Sequence, residues 1–152
     1  MVQKNTGVKM QRDIQKILLH WGGWVVRGHS GLGYSSVAAG FKGLVSRTSI
    51  TKLSCCDEDG LIIDGCIAKL RNVQMKQECD FIECYYAKGM SKRSIGRKYK
   101  LNESEVRKRM AIAESFILGC LTAVDEPLEL DLLYGFPYHQ QRVQPQNAAV
   151  IR

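Results

Sequence analysis

Apolar residues recur with a helical period in most of the chain between residues 13 and 124. Gly22 and Gly23 interrupt the first of these segments, where glycine costs a helix roughly 1 kcal/mol relative to alanine. We therefore expect the glycine pair to allow a close approach to a neighbouring element, and the two tryptophans beside it to fill the core. The apolar positions are spaced three and four residues apart, as in an amphipathic helix: Ile14, Ile17, Leu18, Trp21, Trp24 and Val25.

The rest of the chain also predicts helices, with no alternating strand pattern and no internal repeat. The fold class is therefore all-α, with a compact helical body at residues 12–125. A polar N-terminal arm, residues 1–11, and an extended or disordered C-terminal arm, residues 126–152, flank this body, because neither has an apolar period and the second contains all three prolines. The predicted helices after the first lie at residues 31–45 (short, following a turn), 57–71, 75–88, 91–100 and 103–124.

Positive charge is concentrated in one part of the sequence. The chain has a formal net charge of +7, with 22 basic and 15 acidic residues. Residues 88–109 hold nine of the basic residues and two of the acidic ones, so this window accounts for the whole net charge. A basic stretch is often only a solvated face, but this one coincides with a motif that fits an anionic partner such as nucleic acid.

The same window is typical of a helix-turn-helix, which we place at residues 91–120. Ser91 can cap the first short helix, whose inward positions are Ile95 and Tyr99, and Leu101 fills the turn. Asn102 can cap the second helix, with Glu105 three residues later to complete a capping box. The predicted buried back of that helix consists of Val106, Met110 and Ala113.

In such a motif the N-terminal turns of the second helix reach base edges in the major groove. Arg107 or Lys108 could donate to guanine, and Glu103 or Glu105 could accept from cytosine. Contacts to the sugar-phosphate backbone fix register without reading sequence. The predicted base-contacting residues are Glu103, Ser104, Arg107 and Lys108, and the predicted phosphate-contacting residues are Lys92, Arg93, Arg97 and Arg109.

The window GMSKRSIGRKYKLNESEVRKRMAIAESFILGCL resembles the fourth region of bacterial sigma factors, which reads the −35 promoter element. Three preceding blocks, RDIQKILLHWGGWVV, YSSVAAGFKGLV and CCDEDGLIIDGCIAKL, stand in order before it. Together the four blocks resemble the antitermination protein Q family of lambdoid phages, of the phage 21-like type. The resemblance covers residues 12–125.

The resemblance implies a protein that binds DNA beside the phage late promoter and loads onto paused host RNA polymerase. It also implies read-through of pauses and terminators, by narrowing of the RNA-exit channel. Sigma factor is a further implied partner, and whether two protomers share the DNA stays open. By analogy with sigma factors, Glu103, Ser104 and Lys108 match base readers, whereas Arg107 lies nearer phosphate.

Two other functions compete with this interpretation. A plain helix-turn-helix repressor or activator would act only at an operator and take no part in elongation. A nuclease or another nucleic-acid enzyme is disfavoured, because the acids at the start of the second predicted helix (Asp57, Glu58, Asp59 and Asp64) lack calcium-loop spacing and suit a helix N-terminus. We expect no enzymatic activity and no cofactor.

For the cysteines and histidines, the sequence predicts structural roles. The six cysteines lack paired zinc-ligand spacing, so we expect free thiols in a reducing compartment. Cys55 and Cys56 precede a helix start, where the dipole can lower a thiol pKa. His20, His29 and His139 are isolated in sequence. No apolar run is long enough for a membrane span and no secretory signal is evident, so the expected location is the cytoplasm of the bacterial host.

Overall fold

The computed structural model describes residues 11–28 and 53–136, and no strand occurs in these two ranges. The all-α prediction is therefore confirmed for this part of the chain. The helix predicted at residues 31–45 and residues 1–10 of the N-terminal arm lie outside the described residues. The described helices are α1 (Ile14–Val26), α2 (Asp57–Asn72), α3 (Lys76–Ile82), α4 (Lys92–Tyr99), α5 (Glu103–Val124) and α6 (Glu129–Leu133).

Helix α1 runs through the centre of the body. Trp21 and Trp24 are fully buried, which confirms that the tryptophans fill the core. A Cβ atom on Gly22 would lie 1.9 Å from the carbonyl oxygen of Tyr86, and one on Gly23 would lie 1.7 Å from that of Leu53. The glycine pair therefore permits two backbone approaches that no larger residue would allow, as the sequence predicted.

Helix α2 packs beside α1, and two carboxylates of α2 accept hydrogen bonds from the indole N–H groups of the buried tryptophans. The indole N–H of Trp24 donates to Asp57 Oδ1 at 2.8 Å, and that of Trp21 donates to Asp64 Oδ1 at 3.2 Å. Burial raises the pKa of Asp64 above its ordinary value of 3.8. Asp57 therefore lies at the start of the helix and also bonds to the core, whereas Asp64 lies further along α2 and not at its start.

The helix predicted at residues 75–88 begins as α3 and ends in a π-helical turn at Glu83–Ala87. The widened turn brings the Tyr86 carbonyl against Gly22, and the Tyr86 hydroxyl donates to Glu114 Oε1 of α5 at 2.6 Å. Burial and the adjacent Glu114 carboxylate raise the pKa of Tyr86. A 3.6-residue period does not reveal such a turn, because the insertion changes the hydrogen-bond register by only one residue.

The structure differs from the predicted C-terminal arm at residues 126–136, which fold onto the body. Leu128 and Leu130 are buried, and the side chain of Asp131 pairs with Arg12 at 2.8 Å. Asp59 accepts hydrogen bonds from the first two backbone N–H groups of α6 at 2.9 and 3.0 Å. The predicted arm is therefore wrong for residues 126–136, because contacts with residues distant in sequence hold this segment on the body. Residues 137–152 lie outside the described part.

Within the described ranges, the structure contains no helix that combines the length and the apolar character of a membrane span.

Candidate nucleic-acid interface

Helix α4 begins where the sequence predicted. Ser91 Oγ accepts a hydrogen bond from the backbone N–H of Ser94 at 3.1 Å, which satisfies one of the unpaired donors at the start of the helix. Ile95 is fully buried, and the Tyr99 ring meets Phe81 edge-on with the ring centroids 5.0 Å apart. These contacts fix α4 on the body and leave its remaining faces to solvent.

The connection between α4 and α5 is a tight turn. Lys100 adopts a left-handed conformation with φ of 56°, and the Leu101 N–H donates to the Gly96 carbonyl at 2.8 Å. A Cβ atom on Gly96 would lie 2.6 Å from the Leu101 carbonyl oxygen, so the turn passes close over α4. Asn102 Oδ1 then accepts from the backbone N–H of Glu105 at 2.7 Å and caps α5, as predicted.

The back of α5 is buried as the sequence predicted, with Val106, Met110 and Ala113 fully enclosed. The predicted capping box is wrong in one half. The Glu105 carboxylate accepts a hydrogen bond from Arg109 Nε, one turn further along α5, at 3.0 Å. Among the described residues, it makes no hydrogen bond to the backbone N–H of Asn102. An arginine four residues after a glutamate offers a charge-assisted partner, which is stronger than a neutral backbone N–H.

The four predicted base-contacting residues lie together on the first turns of α5. Ser104, Arg107 and Lys108 are exposed, and the Glu103 side chain keeps 40% of its accessible surface. Arg107 Nε donates to Glu103 Oε1 at 3.1 Å, so this arginine and glutamate are paired in the free protein. Lys108 has no ion-pair partner among the described residues.

Two of the three predicted phosphate-contacting residues of α4 lie on its solvent side. Arg93 and Arg97 are exposed, and Arg97 makes one long contact of 3.5 Å to Ser94 Oγ. Lys92 is half-buried, with its ammonium group 5.2 Å from the centroid of the Tyr85 ring. These three side chains form no ion pair with any described residue, which leaves their charges available to an anion.

Arg109 has a different environment from the other predicted phosphate contacts. Its side chain is 31% exposed and pairs with Glu105 on its own helix. It also donates to Gln77 and lies 3.9 Å from a Glu78 carboxylate oxygen, both on α3. The structure therefore turns this guanidinium towards the body, although the sequence grouped it with the solvent-facing cations.

Two exposed cations beside the predicted DNA-contacting residues were absent from the predicted site. Lys98 lies on α4 with its ammonium 5.5 Å from the centroid of the Tyr99 ring, and Lys100 is exposed in the turn. Both belong to the basic window, but no local pattern indicates that a lysine would take the left-handed position. With them, the solvent side of α4 and the start of α5 form one positive surface, which we call the α4–α5 surface: Lys92, Arg93, Arg97, Lys98, Lys100, Arg107 and Lys108.

The cysteines and histidines have no comparable arrangement among the residues that the structure describes. All six cysteines are free thiols, and no cluster of potential metal ligands occurs in the described part of the chain. The expectation that the helix start lowers a thiol pKa is wrong: burial and the Asp59 charge raise the pKa of Cys55 to about 12, and burial raises that of Cys56. His20 is buried between the Ser54 carbonyl at 2.7 Å and the Tyr134 hydroxyl at 2.6 Å. His29 and His139 lie outside the described residues.

Comparison with known proteins gives one consistent result. Residues 11–129 match the family described as phage antitermination protein Q. A probable antitermination protein Q of Acyrthosiphon pisum secondary endosymbiont phage 1 is 43% identical over 122 residues, which cover 80% of this chain and 82% of that protein. The prophage antitermination protein Q homolog QuuD of Escherichia coli K12 is 38% identical, over 80% of this chain and 95% of the homolog.

A third relative, antitermination protein Q of Escherichia phage 933W, is 35% identical over 79% of this chain and 83% of its own length. No solved structure matches the chain.

Proposed function

Because this chain belongs to the phage antitermination protein Q family, we propose that it is a transcription antitermination factor that binds double-stranded DNA through the α4–α5 surface. The observation that supports DNA binding most strongly is the coincidence of that surface with a short capped helix, a tight turn and a second capped helix. A short helix and a following helix joined in this way form the helix-turn-helix geometry that presents a helix to the major groove.

In this proposal the first turns of α5 read bases. Ser104 and Lys108 face solvent with no ion pair to break, so they contact base edges directly. Arg107 and Glu103 are paired through Glu103 Oε1 in the free protein, so each contacts a base either after the pair shifts or through Arg107 Nη1 and Glu103 Oε2, which the pair does not use. Donation to guanine by lysine or arginine, and acceptance from cytosine by glutamate, are the contacts that these side chains suit.

The solvent side of α4 holds the DNA backbone. Lys92, Arg93 and Arg97 approach phosphates, and their unpaired charges release counterions from the duplex on binding. Phosphate contacts carry no sequence information but fix the angle at which α5 enters the groove.

The second part of the proposal concerns RNA polymerase, and family membership supports it. The DNA-bound protein loads onto host RNA polymerase paused near the phage late promoter, in the cytoplasm of the bacterial host. It travels with the enzyme and narrows the RNA-exit channel, so that terminator hairpins do not form. Sigma factor is a candidate contact during loading, and a second protomer on the DNA is part of the same hypothesis.

Transcription past an intrinsic terminator tests this function. The template carries the phage late promoter of the genome that encodes the chain, followed by a terminator, and the reaction contains host RNA polymerase and sigma factor. We expect read-through to rise with the wild-type protein and to fall when Lys108→Ala replaces it. Lys69→Ala, which removes an exposed lysine on α2, is the matched control.

Absence of read-through on this template, with duplex binding intact, would contradict the antitermination role. It would instead favour a repressor or activator that stays at its operator, since the α4–α5 surface serves that function equally well. Mapping the protein along the template separates the two functions, because only an antitermination factor is recovered with polymerase far downstream of the promoter.

A further inference from the structure

Arg109 joins two helices through directional contacts. Its Nε donates to Glu105 on α5, and its Nη1 donates to Gln77 on α3. The same Nη1 lies 3.9 Å from the Glu78 carboxylate, whose side chain is only 18% exposed. The planar guanidinium therefore bonds through Nε to α5 and through Nη1 to α3, and so links the two sides of the α3–α5 junction.

The Tyr86 hydroxyl bonds to Glu114 further along α5, but the core contacts at the start of the helix are not directional in this way. Val106 and Met110 are fully buried apolar side chains, and hydrophobic burial is proportional to area with little dependence on angle. A helix held by such contacts alone could rotate or slide by a fraction of an ångström at small cost. A forked guanidinium tolerates such displacement poorly, because each hydrogen bond weakens steeply away from its preferred distance and angle.

Arg107 on the same helix gives the contrast. Its side chain is 60% exposed, and its ion-pair partner, Glu103, belongs to the same helix and the same surface. That pair can rearrange without any change in how α5 sits on the body. Arg109 has less freedom, because rearranging its bonds would break the hydrogen bond to Gln77 that links α5 to α3.

We propose that Arg109 is a positioning residue, which holds the start of α5 at the angle needed for base reading and touches no phosphate. This inference rests on the proposed DNA binding. It replaces the phosphate contact that the sequence predicted for Arg109 with contacts to the protein body. It also makes Gln77, a neutral residue on α3, a determinant of DNA sequence preference. Neither side chain contacts DNA in this arrangement.

The experiment measures two affinities for each protein over a series of salt concentrations. One duplex is the sequence that the wild-type protein enriches from a randomised pool, and the other is a scrambled duplex of equal length and composition. The variants are Gln77→Ala, Arg109→Ala, Arg109→Lys and the double variant Gln77→Ala/Arg109→Ala, with Arg93→Ala as the comparison for a true phosphate contact. Circular dichroism and thermal melting report whether each variant is folded.

We expect Gln77→Ala and Arg109→Ala each to reduce the ratio of the two affinities by about tenfold, in the range of measured couplings between contacting residues. The double variant should be no worse than Arg109→Ala, because both changes break the same junction. Arg109→Lys should not restore the ratio, since an ammonium keeps the charge without the fork. All four should keep the wild-type salt slope, whereas Arg93→Ala should lower it by about one unit.

A fall of about one unit in the salt slope for Arg109→Ala, restored by Arg109→Lys, would overturn the inference in favour of a phosphate contact. An unchanged affinity ratio in folded Gln77→Ala would overturn it as well. Failure of the wild-type protein to prefer any duplex would refute the proposed DNA binding itself. The wild-type measurement comes first, so this outcome is distinguished from a failure of the inference about Arg109.

Discussion

Charged side chains occupy two contrasting regions of this protein. In the junction of α1, α2 and α6, Arg12 and Asp131 are 4% and 2% exposed, and each of the two carboxylate oxygens accepts a hydrogen bond of 2.8 Å. On the α4–α5 surface, Arg93, Arg97 and Lys108 are exposed and form no ion pair with any described residue. The first region uses its charges to hold the fold together, whereas these charges of the second region are exposed to solvent.

The contrast follows from how burial changes the energy of a charge. A buried ion is stable only while its partner remains, because an uncompensated charge in the interior costs several kcal/mol. An exposed cation is solvated by water with or without a partner, so its removal hardly changes stability. Substitutions in the two regions should therefore separate folding from DNA binding, and their expected effects decrease in the order that follows.

The largest effect is expected for Asp131→Ala. The change strands the buried Arg12 guanidinium and removes the acceptor for the Leu128 N–H, so unfolding free energy should fall by about 3–5 kcal/mol. Urea unfolding followed by tryptophan fluorescence measures it. Glu126→Ala, which removes an exposed carboxylate in the same segment, is the control and should change stability by less than about 0.5 kcal/mol. Equal effects of the two substitutions would contradict the contrast.

Lys108→Ala should change recognition and leave folding intact. We expect a loss of about 1–3 kcal/mol in discrimination at one base pair, because a base-edge contact disappears. Competition binding with a panel of single-base-pair variants of the preferred duplex measures it, and Lys69→Ala controls for the lost charge. An equal loss on every duplex would show that Lys108 does not read a base.

Asn102 lies within the α4–α5 turn, but its side chain stabilises the fold. Asn102→Ala removes the cap that accepts the Glu105 N–H, which should lower the unfolding free energy by about 1 kcal/mol. Asn72→Ala, at the exposed end of α2, provides the control in the same chemical unfolding assay. No difference between the two variants would mean that the cap contributes little to the start of α5.

The smallest effect concerns Asp64, a buried acid whose pKa is raised. The folded state holds this proton to higher pH than the unfolded state, so its contribution to stability is complete below pH 3.8 and is lost as pH rises through the raised pKa. Asp64→Asn cannot titrate but keeps an oxygen acceptor for Trp21. The unfolding free energy of wild type relative to this variant should therefore decline as the pH rises above about 4, and an increase in that direction would contradict the assignment.

The sequence predicted the parts of the fold that depend on neighbours along the chain. The stripe of α1, the caps at Ser91 and Asn102, and the buried back of α5 all follow from spacings of three and four residues. A close backbone approach at Gly22 could be expected, because a glycine inside an apolar stripe indicates that another backbone passes close by, but the sequence did not identify Tyr86 as the residue that approaches.

Contacts between distant segments were beyond such reasoning. Arg12 and Asp131 stand 119 positions apart, so nothing local indicated that residues 126–136 would pack on the body. The contact between Arg109 and Gln77 was equally out of reach, since Gln77 on α3 lies 32 residues earlier. Local charge predicts where a positive surface lies, but only the packing decides which cations face away from it.

DNA binding by the α4–α5 surface is tested most directly by the dependence of duplex affinity on salt for the wild-type protein and Arg97→Ala. Three phosphate contacts from α4 predict a slope of log affinity against log salt of about −3 or steeper for the wild type. Arg97→Ala should weaken binding to all duplexes alike and make the slope shallower by about one unit. A wild-type affinity that does not change with salt, or a slope that Arg97→Ala leaves unchanged, would contradict the assignment of this surface to DNA.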